Sequence, residues 1–114
     1  MRPLQDTSSL RKNSYAESNT NTTTVTINAI AGERHVIDQI IWSTDTVPVA
    51  NTSHITITDT TSSTVLAVWD LGNQYGANQF TFEGGLAAPL NAAVTIVMVT
   101  NTAGDTNHLT VLYR

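Results

Sequence analysis

The chain carries three imidazoles, His35, His54 and His108, and no cysteine, so any metal or nucleophile site must be built from histidine, carboxylate and hydroxyl groups. None of the three has a second ligand at a metal-like spacing. Each falls in or beside a stretch that reads as strand, where a surface or hydrogen-bonded histidine is the ordinary outcome. Eight serines and several aspartates would permit a Ser-His-Asp set, but no Gly-x-Ser-x-Gly elbow surrounds any serine. Asp70 and Glu83 close neighbouring strands and could pair as glycosidase carboxylates. Such enzymes need an aromatic-lined cleft, and several of the seven aromatics here are needed for packing. Asp45, Asp59 and Asp105 stand in or next to turns, where aspartate caps backbone amides, and no acidic run resembles a calcium loop. Gly84-Gly85 lacks the lysine and the following helix of a phosphate loop; after Phe80-Thr81-Phe82 the pair reads as a tight turn with positive φ. Trp42, Trp69, Phe80 and Phe82 fall at inward positions, and Tyr75, in a glycine-bearing loop, is the aromatic placed for display. The expectation is a protein that is not an enzyme, with no catalytic residue, no cofactor and no metal.

The elements that position these residues are strands. From Val25 to Arg114, 33 of 90 residues are β-branched, the composition of a pleated, half-buried surface. Period-2 alternation and turn residues place strands at 24–28, 34–43, 54–59, 64–70, 79–82, 93–100 and 108–113. In the second of these, Val36, Ile40 and Trp42 share one face and Ile37 and Ile41 the other. Strands at regular spacing, with no helical pattern between them, predict an all-β fold. The expected form is an antiparallel sandwich or jelly roll of seven to eight strands, with a small barrel as the competing form. The strands 94–99 and 109–113 are apolar on both faces, which implies cover on the second face, from the chain's own loops or from another subunit. Val97, Val99 and Leu112 are the expected subunit-interface residues.

Residues 1–24 differ in kind. They hold five apolar side chains and end in Ser18-Asn19-Thr20-Asn21-Thr22-Thr23-Thr24, too little to offset the entropy of ordering in isolation. They read as an extended polar arm joined to a β-domain at 25–114. The arm carries a net charge of +1 and the domain −5; with Arg34 and Arg114 as its only cations the domain has no basic face for phosphates, so no nucleic-acid partner is expected. No membrane partner is expected either, since no apolar window approaches the length of a membrane helix. The opening residues lack the apolar run of a signal peptide, so synthesis in a cytoplasm is expected.

Two stretches carry a resemblance. Gly32-Glu33-Arg34-His35-Val36-Ile37-Asp38-Gln39-Ile40-Ile41-Trp42-Ser43, followed by a Pro-bearing loop and an Ile-Thr-Ile strand, resembles small β-sandwich proteins of tailed-phage structural modules. Phe80-Thr81-Phe82-Glu83-Gly84-Gly85-Leu86, then Pro89-Leu90-Asn91 and a Val/Ile strand, is similar to the same group. The resemblance, over residues 25–114, is to bacteriophage capsid decoration (cement) proteins. It implies homotrimers on the outer surface of a virion's capsid, with arms that clamp adjacent subunits of the major capsid protein. Arg2, Leu4, Leu10, Arg11, Lys12 and Tyr15 would then be the capsid-binding residues. The competing reading is a virion receptor- or glycan-binding module from a tail or head fibre.

Overall fold

The computed structural model describes residues 12–45, 53–71, 76–100 and 106–114. Wherever the sequence alternates, the backbone is extended. Eight strands result: β1 (Lys12–Ser18), β2 (Thr22–Ile27), β3 (Val36–Thr44), β4 (His54–Asp59), β5 (Thr64–Asp70), β6 (Gly76–Ala87), β7 (Val94–Val99) and β8 (Asn107–Tyr113). They form two antiparallel sheets, β1-β8-β3-β6 and β2-β7-β4-β5. The pairs β1/β8, β2/β7, β3/β6 and β4/β5 are nested around a hairpin tip at residues 60–63, as in one long folded ribbon. Rolling that ribbon brings β8 beside β3 and β7 beside β4. This is the connectivity of a jelly roll, which spreads non-local pairing over two sheets that cover one another.

The core lies between the sheets. Ile37, Ile40, Ile55, Ile57, Val94, Ile96, Met98, Leu109 and Val111 are all fully buried there, each contributing about 1.5–3 kcal/mol by removal from water. In β2, β4 and β7 buried residues alternate strictly with more exposed ones, so the sequence pattern there is the structural pattern.

Four expectations are corrected. The polar stretch 12–18 is a strand, not arm: β1 pairs with β8 along its whole length, from Lys12↔Tyr113 to Ser18↔Asn107. Pairing to a central strand supplies the order that its own side chains do not. In β3, Ile37 does not oppose Ile40. The register against β6 jumps from Ile37↔Leu86 to Gln39↔Thr81, and this bulge turns Ile37 and Ile40 into the same core. Gly84 and Gly85 are not a strand-ending turn; they lie inside β6, on the bulged-out loop opposite Asp38, with φ of 79° and 87°. Finally Phe80, although it points between the sheets, is 46 % exposed because β6 is an edge strand.

Candidate interaction surfaces

The first surface is the β1 edge. Glu17, Tyr15 and Asn13 stand on its outer side, opposite His108, Thr110 and Leu112 of β8. The Tyr15 hydroxyl lies 2.8 Å from His108 Nδ1, the two rings stack at 5.9 Å, and Glu17 Oε1 is 3.4 Å from the same hydroxyl. Desolvation against the sheet and the neighbouring Glu17 carboxylate push the Tyr15 phenol above its ordinary value. Inward, Ala16 packs on the core. Of the residues expected to bind a capsid, Lys12 and Tyr15 thus sit on β1, while Arg2, Leu4, Leu10 and Arg11 lie outside the described residues. Lys12, the first described residue, pairs with Tyr113 at one rim of the first sheet.

The outer faces of the two sheets differ in chemistry. On the second sheet the outward residues fall in register as Thr22-Val99-His54-Asp70, Thr24-Val97-Thr56-Val68 and Thr26-Thr95-Thr58-Val65. That face is threonine and valine, with one charge at a corner. The first sheet presents Leu112, Gln39, Ile41 and Gln79 around the Tyr15–His108 pair, and Gln39 Nε2 donates to Gln79 Oε1 at 2.8 Å. Val97 and Val99 therefore lie on one face of the sandwich and Leu112 on the opposite one. All three are half-buried by their strand neighbours. The structure does not bring the three interface residues together.

The third surface was only half legible. β5 and β6 end their sheets on the same side of the molecule, and aromatic rings fill the seam between them. Trp69 of β5 lies 5.4 Å from Phe80, 6.1 Å from Phe82 and 6.2 Å from Trp42, and Phe80 meets Phe82 edge-on at 4.9 Å. Edge-to-face pairs of this kind add to the area they bury. The Trp69 Nε1 is enclosed without a hydrogen-bond acceptor, a cost of about 1–3 kcal/mol. Val65 and Val68 stand exposed on the outer side of β5, and Phe80 is exposed between the two edges. Inward parity was readable for all four rings; that three of them, Trp69, Phe80 and Phe82, lie on edge strands was not. Tyr75, the aromatic expected on display, lies outside the described residues.

The remaining candidates resolve into structural roles. His35 is buried, donates from Nε2 to the Asn28 carbonyl at 2.8 Å and meets Tyr113 edge-on. His54 is on the outer face of the second sheet and His108 on that of the first, so the imidazoles do not converge. Among the described residues no group of three histidines or carboxylates could hold a metal ion. Asp59 caps the β4–β5 hairpin, accepting from the Ser62 hydroxyl at 2.6 Å and from the Thr61 and Ser62 amides. The Ser62 hydroxyl, aided by those amides and opposed by burial, holds its carboxyl below the usual range. At the C-terminal side of β8 Arg114 is clamped. Its Nε donates to both oxygens of the buried Asp38 at 3.1 Å, and its backbone exchanges two hydrogen bonds with Val36.

No protein-family model matches the chain, and no curated protein matches it. Several chains of solved structures are similar at a distance, including the following two. One is a chain of the virus-like particle of extra small virus from the giant freshwater prawn Macrobrachium rosenbergii, 11 % identical, with a TM-score of 0.33, covering 98 % of this chain and 82 % of that one. The other is a chain of the cyanophage Pam1 capsid asymmetric unit, 16 % identical, with a TM-score of 0.36, covering 99 % of this chain and 91 % of that one. A likeness this distant says nothing about what the chain does.

Proposed function

We propose that the chain is a virion structural protein that decorates the outer surface of a phage head and stabilises it by holding adjacent subunits of the major capsid protein. The observation that carries this reading is where the leading segment enters the fold. Lys12, to which residues 1–11 are joined, begins an edge strand at the rim of the sandwich, so the chain that holds Arg2, Leu4, Leu10 and Arg11 is attached at that rim. Eleven extended residues reach about 36 Å, enough to pass from the base to a second subunit. Several copies acting together on one shell would add modest contacts through effective concentration. Jelly rolls recur in viral shells, which is analogy of fold and not evidence of function. No reaction is assigned to the chain.

The test is a truncation that respects β1. Protein lacking residues 2–11 should stay folded, bind shells of the same virus's major capsid protein at least tenfold more weakly in co-sedimentation, and protect them less against heat or osmotic shock. Undiminished binding and protection would refute the clamp. A second reading, a receptor- or glycan-binding module, is favoured by one feature, the exposed Phe80 beside Trp69. Finding the protein in purified tails and not in heads would favour that reading.

A further inference from the structure

We infer that two copies of this chain associate side by side through the β5–β6 seam, so that each sheet of one copy runs on into the same sheet of the other. This is independent of the capsid reading.

The seam is the side of the molecule where exposed rings meet two free strand edges. Natural sheets protect a free edge with charge, proline or a short strand. On the far side the β1 edge carries Lys12 and Glu17, and residues 19–21 lead directly from β1 into β2. On the seam side β6 has no charge or proline from Gly76 to Phe82 and β5 none from Thr64 to Trp69, each run being followed by one acid, Glu83 and Asp70. Both strands are outermost in their sheets. Phe80 stands 46 % exposed between them against the Trp69 and Phe82 rings, and Val68, 57 % exposed, stands on the outer side of β5. Uncharged runs beside exposed rings fit a partner with the same features. A second copy supplies them.

The position of Phe80 sets the register. In an antiparallel two-fold pair centred on it, Phe80 meets Phe80 of the partner, a favourable cross-strand aromatic contact. Phe82 then faces Asn78, Gln79 faces Thr81, and Glu83 faces Ala77, so no acidic side chain opposes its own copy. The contact is large enough to matter. The molecule is 22 Å through its thinnest axis, and seven residues of strand span about 23 Å. The flat cross-section is thus about 500 Å² per copy, against roughly 800 Å² of accessible surface per partner in a standard interface. A second copy as occupant also implies a salt dependence. Copies with a net charge of −4 repel one another, so added salt should tighten this contact, unlike one held by ion pairs.

Sedimentation velocity of the full chain from 1 to 200 µM should show a monomer–dimer equilibrium that tightens between 0.05 and 0.5 M NaCl. Phe80→Lys should weaken it at least tenfold with an unchanged far-UV spectrum, whereas Val97→Lys, on the outer face, should leave it intact. The chain has no cysteine of its own, which allows a register test that does not depend on Phe80. An equimolar mixture of Gln79→Cys and Thr81→Cys proteins should form disulfide-linked heterodimers under mild oxidation, and neither protein alone should cross-link to the same extent. A monomer throughout the range, an oligomer indifferent to Phe80→Lys, or no preference for the mixed disulfide would each overturn the inference. A glycan-array signal from monomeric protein that Phe80→Lys abolishes would do so as well, by giving the seam to a sugar.

Discussion

At the scale of single residues a hairpin of the molecule is held by a carboxylate that accepts backbone donors. Asp59 receives two amides and a hydroxyl at the tip of the rolled ribbon, and its lowered pKa fixes the sign of a pH effect. A carboxylate depressed on folding contributes stability above its unfolded pKa and loses it as the pH falls through the folded value. The stability gap between the native chain and Asp59→Asn, read from urea unfolding, should therefore be full at pH 7 and close as the pH drops below the ordinary carboxylate range. Gly85 makes a second prediction. Its φ of +87° suits glycine alone, and a Cβ there would overlap Val36 and crowd the Arg114–Asp38 pair. Gly85→Ala should cost about 1–3 kcal/mol from the backbone conformation, and more from the overlap. In the core, Ile57→Ala should cost about 2–5 kcal/mol in the same assay, because Ile57 is fully buried between the sheets.

The element that changes the picture most is β1. Taken alone, Lys-Asn-Ser-Tyr-Ala-Glu-Ser has no apolar alternation and only Tyr15 and Ala16 as apolar residues, yet it supplies the outer strand of a sheet. Its order comes from β8, from Ala16 against the core and from the Tyr15–His108 pair. Removing residues 2–11 and removing residues 2–18 are therefore different experiments. The first should leave the melting temperature within a degree or two. The second should uncover the β8 edge, lower the melting temperature by several degrees and promote aggregation, read by calorimetry and light scattering. In limited trypsin digestion, cleavage after Arg11 should precede cleavage after Lys12, whose following bond lies within the paired strand.

For the whole molecule, the roll leaves three kinds of surface, each suited to a different contact. The β1 rim holds Lys12, to which residues 1–11 are joined, the outer faces are nearly uncharged, and the seam carries exposed rings on a free edge. A head-decoration role uses the first. Association between copies, by the inference above, uses the third. The two are separable: Phe80→Lys should abolish the dimer and leave the affinity of a single copy for shells within about twofold, while removal of residues 2–11 should do the reverse. Loss of both properties in either variant would mean that the rim and the seam act as one surface.

What the sequence determined by itself was what local pattern can carry. The β class follows from β-branched alternation, the inward residues of β2, β4 and β7 from period 2, and the capping role of Asp59 from a turn that needs an acceptor. Each depends only on neighbours within a few positions. Tertiary structure decided the rest because pairing is non-local. A polar segment becomes a strand when a central strand offers it a ladder, as β8 does for residues 12–18. Parity holds until a bulge resets it, as at Asp38. An inward ring is covered only if another strand lies beyond it, and none does beyond Phe80. Which strands are edges is a property of the order β1-β8-β3-β6 and β2-β7-β4-β5, and the surfaces available to partners follow from that order.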